Sequence, residues 1–308
     1  MANITLKQLR YFEALARHGH FGRAAAASSI SQPALSVQIK DLEEALGAKL
    51  FERSARKVHR THVGDAFIAR VPEILRAVEE LEDIARASRD DVSGRLRIGL
   101  IPTLAPYLLP TLLDHMAEAH PGVELGLRET EGQRLLAELR AGRLDAALVS
   151  LPVADPHLTE AALFDEEILL VRPFADADAP VPDLRAVADM NLLLLEQGQE
   201  FRDEALALCG VKGAMPGERL DASAPSTLVH MVAAGMGVTL LPELAVAAET
   251  RGAQVDAVRF GPPRPTRQIG LVWRKESPLS DQLLRLSQTV QSALKEARDR
   301  REDRKVTP

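Results

Sequence analysis

Apolar and polar positions alternate at helical spacing through the first fifty residues, and the first apolar stripe consists of Leu6, Leu9, Phe12 and Ala16. Because residues three and four apart share one face of a helix, this stripe predicts an amphipathic helix over residues 5–17. An alanine-rich stretch predicts a second helix at 21–28. Ser31 is suited to cap a third helix that Gly47 would end. Three short helices with a tight turn between the second and the third predict a helix-turn-helix.

The third predicted helix carries polar side chains away from its apolar stripe. Gln32 projects from the first turn, and the rest of this face consists of Pro33, Ser36, Val37 and Lys40. Glutamine can pair with adenine, serine can contact base edges or phosphate, and lysine neutralises phosphate. The basic segment FERSARKVHRT (51–61) is expected to form a β-wing against the DNA backbone; the alternative is an exposed hairpin with solvated charges. Together, the order, spacing and sign of these elements favour DNA binding.

Residues 63–88 show a heptad pattern and are expected to form one long helix. The apolar seam consists of Phe67, Val71, Ile74, Val78, Leu81 and Ala85. Such a narrow stripe favours a partner helix, and hence a dimer; the alternative is a helix packed on its own chain. Pro72 is expected to kink this helix, since an interior proline costs roughly 3 kcal/mol.

From Arg95 onward, short apolar runs alternate with helical stretches. The strand candidates are residues 95–101, 123–129, 145–151, 166–172, 191–197, 219–222, 237–242 and 267–275, and a closing helix spans 279–300. This alternation predicts an α/β fold with doubly wound parallel sheets in two lobes around a cleft, with ligands bound where strands end. The predicted division is a DNA-binding domain at 1–62, a linker helix at 63–90 and an effector domain at 93–300, with lobe I at about 93–164 and 268–300 and lobe II at about 165–267.

Composition and charge narrow the class of protein. The 308 residues are 46% hydrophobic and 27% charged, which is typical of a soluble chain of about two domains. Neither a membrane-spanning apolar run nor a signal peptide stands out, so a cytoplasmic protein without membrane partners is expected. Residues 1–62 hold ten basic and five acidic residues, whereas the remainder holds 28 and 39. Residues 1–62 therefore carry a net charge of +5 and the remainder carries −11, which favours a polyanion as the partner of residues 1–62.

Candidate catalytic and metal chemistry is sparse. Cys209 is the single cysteine, so no intramolecular disulfide can form, and its apolar neighbours predict a buried small hydrophobe rather than a reactive thiol. The sequence indicates no catalytic constellation, metal spacing or cofactor motif, so neither an enzyme nor a cofactor is expected. The alternative of a different class is a two-lobed solute-binding protein or an enzyme. That alternative does not explain the basic charge of residues 1–62.

The run SQPALSVQIKDLEEALGAKLFER (31–53) resembles the DNA-binding domain of the LysR-type transcriptional regulators, and the resemblance extends over the whole chain. It implies a winged helix-turn-helix, a linker helix and a periplasmic-binding-protein-like effector domain. By position, bases or the adjoining backbone would be contacted by Gln32, Pro33, Ser36 and Gln38, and phosphates by Ser31, Lys40, Arg53 and Arg56. Val37 stands where the family usually has a polar residue, so one base contact is expected to be lost or replaced by contact with a thymine methyl.

The effector half resembles the hydrogen-peroxide-sensing, OxyR-type branch of this family, for example in EQGQEFRDEALALC (196–209). Gln199 and Glu200 occupy the places of a His-Cys pair, and Cys209 alone keeps the resolving position. Gly132 replaces a pocket threonine, whereas Thr103 is retained. A carboxylate cannot become a sulfenic acid, so disulfide sensing is expected to be absent. Glu200 would instead supply a permanent negative charge; the alternatives are an exposed carboxylate at a helix start and a redox response through Cys209 alone.

The resemblance implies an effector-responsive regulator that binds an inverted repeat of double-stranded DNA as a homodimer or homotetramer. Its further partners would be a small-molecule effector of unknown identity and RNA polymerase. The residues expected to line the effector cleft are Pro102, Thr103, Leu104, Ser150, Gln199, Glu200, Ser223 and Thr227.

Overall fold

The computed structural model describes residues 4–53, 58–87, 92–196, 200–211 and 221–304; at positions 53, 221 and 297–304 it describes the backbone alone. The chain divides into two compact units, residues 1–85 and 86–308. Within the described ranges, no helix has both the length and the apolarity needed to cross a membrane.

The first unit is a helix-turn-helix with a two-stranded wing. Its elements are α1 (Leu6–His18), α2 (Phe21–Ala27), α3 (Gln32–Leu46), β1 (Phe51–Arg53), β2 (Val58–Arg60), α4 (His62–Ile68) and the start of α5 (Val71–Ala87). Local chemistry sets the ends of α3 as predicted: the Ser31 hydroxyl accepts a hydrogen bond from the Ala34 N–H, and Gly47 follows the helix with a left-handed φ of +66°. The antiparallel pairing of β1 with β2 confirms the predicted wing.

An aromatic cluster holds the first unit together. The buried ring of Phe12 in α1 lies 5.2 Å from that of Phe51 in the wing and 5.1 Å from that of Phe67 in α4. Leu35, Ile39 and Leu42 of α3 complete the same core. These are the apolar stripes predicted for the first and third helices, so burying them turns the opposite face of α3 outward.

The single long helix expected over residues 63–88 is wrong, because α4 ends at Ile68 and α5 begins at Val71. Pro72 explains the break. It has no N–H to donate to the Ile68 carbonyl four residues earlier, and its ring would clash with that carbonyl in a continuous helix. At the second position of α5, the missing N–H does no harm. The helix therefore stops and restarts.

The second unit is an α/β domain. Its elements are β3 (Gly94–Leu100), α6 (Ala105–Ala119), β4 (Val123–Glu129), α7 (Gly132–Arg140), β5 (Ala146–Leu151), β6 (Leu158–Pro173), a 3-10 turn (Phe174–Asp176), α8 (Leu184–Asp189), β7 (Leu194–Leu195), α9 (Glu200–Leu208), β8 (Asp221–Ala222), α10 (Pro225–Ala233), β9 (Thr239–Pro242), α11 (Glu243–Glu249), β10 (Val255–Val258), β11 (Thr266–Arg274) and α12 (Ser280–Arg304). Seven strands form one sheet in the order β10-β6-β11-β5-β3-β4, with β9 added on β6, and β7 pairs with β8 separately.

The α/β class is confirmed, but the main sheet is mixed rather than parallel throughout. β3 pairs in parallel with β4 and β5, whereas β11 runs antiparallel to both β5 and β6. The sixteen-residue β6 pairs with β11 along its first part and with β9 and β10 along its last part. The sequence pattern indicated only that last part, because the first eight residues of β6 are mostly half-buried and do not form a continuous apolar run.

Two apolar cores lie in the second unit. One packs α6, α7 and α12 against the sheet around residues such as Leu100, Leu148 and Trp273. The other packs α9 and α10 against the last part of β6 and includes Val171 and Cys209. β6 contributes residues to both cores, so it is the strand that joins them.

Candidate functional site

The outer face of α3 presents the side chains predicted to contact DNA. Gln32, Pro33, Val37 and Lys40 are exposed, while Ser36 and Gln38 are half-buried. Lys40 forms an exposed ion pair with Glu44 at 3.3 Å, a contact that contributes little in water. Val37 is 54% exposed, so α3 carries an apolar side chain in the middle of its polar face. Arg53 has only its backbone described, and Arg56 lies outside the described residues.

Glu43 ties the wing to α3, a role that the sequence analysis missed. Its carboxylate is buried and accepts hydrogen bonds from the backbone N–H groups of Leu50 and Phe51, at 2.9 and 3.1 Å, and from Lys49 Nζ at 2.8 Å. Burial alone would raise the pKa of Glu43, but these hydrogen bonds outweigh it and hold the pKa below its ordinary value. The stable carboxylate therefore fixes the start of the wing against the C-terminal end of α3.

The predicted dimer seam divides into a buried and an outward-facing part. Phe67 and Val71 pack in the core of the first unit. Ile74, Leu81 and Ala85 are exposed and Val78 is half-buried, and Leu81 is 64% exposed. The outward-facing part of the stripe therefore begins at Ile74.

A recess in the second unit lies at the carboxyl ends of the parallel strands β3, β4 and β5. Its lining residues are Ile101, Pro102, Thr103, Glu131, Gly132, Ser150, Glu200, Phe201 and Arg267, and with its open mouth it encloses about 290 Å³. Four residues expected in the effector cleft thus come together here: Pro102, Thr103, Ser150 and Glu200. Leu104 instead lies in the apolar core. Ser223 and Thr227 are exposed near the start of α10, away from the recess lining, and Gln199 lies outside the described residues.

Arg267 lies in the wall of the recess, although the sequence analysis did not single it out. The guanidinium is buried and contacts Glu166 through Nε and Nη2 at 2.8 Å. Nη1 donates to Thr103 Oγ1 at 2.9 Å, and Nη2 donates to the Thr103 carbonyl at 3.3 Å. Arg267 and Glu166 are direct cross-strand partners in β11 and β6. The available signal was one charged residue at the start of each of two apolar runs, but sequence alone does not reveal their pairing.

Glu200 begins α9 and turns its carboxylate into the recess. A Cβ atom built on Gly132 would lie 2.2 Å from Glu200 Oε2, so the carboxylate fills the space that a side chain at position 132 would need. Burial, reinforced by the nearby charge of Glu204, raises the pKa of Glu200 to about 7. With this pKa the carboxyl is partly protonated near neutral pH, so the negative charge predicted at this position depends on pH. The alternative of an exposed helix-start carboxylate is wrong, since Oε2 is buried.

Cys209 lies in the second apolar core of its unit, as predicted. The side chain is buried, and that burial raises the pKa of its thiol above the ordinary value. Because the thiolate is the reactive form, this environment makes Cys209 a poor nucleophile toward peroxide.

Comparison with known proteins agrees with this architecture. Residues 6–65 match the bacterial regulatory helix-turn-helix protein family of the lysR type, and residues 89–295 match the LysR substrate binding domain. The chain is 39% identical to the DNA-binding transcriptional dual regulator OxyR of Escherichia coli, over 94% of this chain and 96% of that protein. It is 40% identical to a probable hydrogen peroxide-inducible genes activator of Streptomyces viridosporus, over 95% of each.

Solved structures of OxyR proteins share the fold. A cysteine-to-aspartate variant of full-length OxyR from Pseudomonas aeruginosa superposes with a TM-score of 0.70 at 33% identity, over 94% of this chain and 98% of that one. A cysteine mutant of Corynebacterium glutamicum OxyR gives a TM-score of 0.68 at 34% identity, over 99% and 96%. From its two matched domains and its full-length relatives, we conclude that the chain belongs to the LysR family of DNA-binding transcriptional regulators and is OxyR-like.

Proposed function

We propose that this regulator binds an inverted-repeat operator in the cytoplasm as a homodimer or homotetramer, and that it responds to a small molecule in the recess rather than to peroxide. One observation carries the second part of the proposal. The effector domain keeps a recess at its strand ends that polar and apolar residues line together, while its single cysteine is buried in an apolar core. A signal that enters through the recess does not need thiol chemistry.

The face of α3 supports the first part of the proposal. Gln32 and Ser36 lie one turn apart on the outward side of a helix whose opposite side is core, which suits insertion into a major groove. Lys40, one further turn along, is placed for a phosphate. Recruitment of RNA polymerase by the bound regulator belongs to the same proposal.

The partner for self-association is a second copy of this chain. The exposed apolar side chains Ile74 and Leu81 lie two turns apart on α5, the spacing at which two helices bury a shared seam. A two-fold symmetric dimer would present two copies of α3 to the two halves of an inverted repeat.

Footprinting on the DNA upstream of the protein's own gene, at fixed salt and with and without peroxide, tests the proposal. We expect a symmetric protected region that peroxide leaves unchanged. A footprint that shifts with peroxide in the natural chain but not in a Cys209→Ser variant would show that Cys209 senses alone. Absence of specific protection on any tested promoter fragment would refute the assignment of α3 as the base-reading helix.

A further inference from the structure

The recess contains more acceptors and more negative charge than its own residues satisfy. Ser150 is 8% exposed, and its Oγ has no hydrogen-bond partner among the described residues, although it lines the recess. Glu200 Oε2 is likewise buried without a donor from the described part of the chain. A buried polar atom without a partner is costly. Two such atoms facing one recess indicate that something else supplies the hydrogen bonds.

Arg267, the cation that lines the recess, is already bound to acceptors of the protein. Arg267 contacts Glu166 at 2.8 Å and Thr103 through both Nη atoms, and Nη1 lies 3.6 Å from Glu204 Oε2. Every guanidinium nitrogen therefore faces an acceptor of the protein itself. An anionic ligand would have to displace these contacts before it could use Arg267.

The charges around the recess also favour a cationic ligand over an anionic one. Glu166, Glu200 and Glu204 surround the single guanidinium of Arg267, so ionisation of all three leaves a surplus of two negative charges. Glu131 adds a fourth carboxylate at the rim, and Asp203 lies on the same helix as Glu200. In a low-dielectric site such a surplus attracts a cation or a proton. A positively charged hydrogen-bond donor would satisfy both Glu200 Oε2 and Ser150 Oγ, and it would compete with the proton that Glu200 binds near neutral pH.

We propose that the recess binds one small cationic donor group, an amidinium or a primary ammonium, whose N–H groups donate to Glu200 Oε2 and Ser150 Oγ. The apolar side chains of Ile101 and Phe201 in the lining would pack against the carbon part of such a ligand. Because the recess is small and its volume of about 290 Å³ includes the solvent at its mouth, only the cationic group itself would be buried there. The proposal rests on the proposed function, because it names the chemical class of the effector.

Gly132 has a specific part in this site. Because any side chain at position 132 would collide with Glu200 Oε2, glycine is what allows the carboxylate to occupy the recess that Ser150 also lines. The colliding atom is the end of a flexible side chain, so a Gly132→Ala variant is expected to fold with Glu200 displaced. It should therefore lose the cation site without losing the domain.

Three molecules of similar shape that differ in charge test the proposal: the cation acetamidinium, neutral acetamide and the anion acetate. Each is titrated into the full-length protein by ligand-observed NMR at equal ionic strength. We expect acetamidinium alone to bind, with a dissociation constant in the millimolar range. Its binding should be about ten-fold tighter at pH 8 than at pH 6, because a proton competes for Glu200. Glu200→Gln and Gly132→Ala should both abolish binding, whereas Glu118→Gln, the same change on an exposed helix face, should not.

Several results would contradict the proposal. Binding of acetate in preference to acetamidinium would overturn the proposed ligand class, as would acetamidinium binding that Glu200→Gln leaves intact. Absence of binding by all three probes would overturn the site. DNA binding measured on the same preparations separates this proposal from the function on which it rests. Intact operator binding without probe binding refutes the cation site alone, whereas a folded chain without operator binding refutes the function.

Discussion

Replacing Glu200 by glutamine should remove a pH dependence from the stability of the effector domain. The substitution keeps the size and the polar end of the side chain but cannot ionise. In the folded protein the pKa of Glu200 is raised from its ordinary value of 4.5 to about 7, so the folded state holds a proton that the unfolded state releases. The free energy of unfolding therefore falls as the pH rises from about 4.5 to about 7, and changes no further above that range.

The size of this effect follows from the pKa difference. A rise from 4.5 to about 7 corresponds to roughly 3 kcal/mol at most. Glu200→Gln should consequently be close to neutral at pH 5 and should stabilise the domain at pH 8 by about 1 to 3 kcal/mol. An increase in the free energy of unfolding is unusual for the substitution of a buried residue, so this outcome distinguishes the titration of Glu200 from a general effect of mutation.

Trp273 provides the assay. It is the single tryptophan of the chain and is buried in the core of the second unit, so its fluorescence reports unfolding of the effector domain alone. Urea unfolding of the natural chain, Glu200→Gln and Glu118→Gln is compared at pH 5, 6, 7 and 8. If the curves of the natural chain and Glu200→Gln keep the same separation at every pH, the carboxyl does not titrate near neutrality and the electrostatic argument fails.

Three further predictions concern the first unit and the linker. Glu43→Ala should destabilise the DNA-binding unit by about 2 to 3 kcal/mol, measured by thermal unfolding of residues 1–85, because two backbone N–H groups at the start of the wing lose their acceptor; an unchanged melting temperature would contradict this. Ser36→Ala should weaken operator binding by about 1 to 3 kcal/mol through the loss of contact with one base pair. Lys40→Ala should weaken binding to all DNA sequences alike and reduce the slope of log affinity against log salt concentration by about 1 in gel-shift titrations. Identical behaviour of both variants would contradict the assignment of α3 to the groove. Leu81→Glu should dissociate the proposed dimer in light scattering, since it places a charge in an exposed apolar stripe; an unchanged mass would place the interface elsewhere.

Locally encoded features were predictable from the sequence. The helix-turn-helix followed from apolar spacing and from caps such as Ser31 and Gly47, whose effects extend over three or four residues. The break before α5 was only partly anticipated. Proline was expected to kink a continuous helix, whereas the lost hydrogen bond and the clash at Ile68 separate two helices.

Features that depend on distant pairing were not predictable in the same way. The cross-strand contact of Arg267 with Glu166 joins residues 101 positions apart, and no periodicity in either strand specifies its partner. The relation between Gly132 and Glu200 is similar. Each position was singled out separately by the resemblance, but only the fold shows that one makes room for the other.

The path of β6 has a consequence for cooperativity. Because this single strand contributes side chains to both apolar cores and pairs with β11 along its first part and with β9 and β10 along its last part, loss of structure in one core would expose the edge of the other. The effector domain should therefore melt in one transition, and a protease that cuts within β6 should leave no folded fragment. A rearrangement that a ligand causes in one core would therefore act on the other core through the residues of this strand.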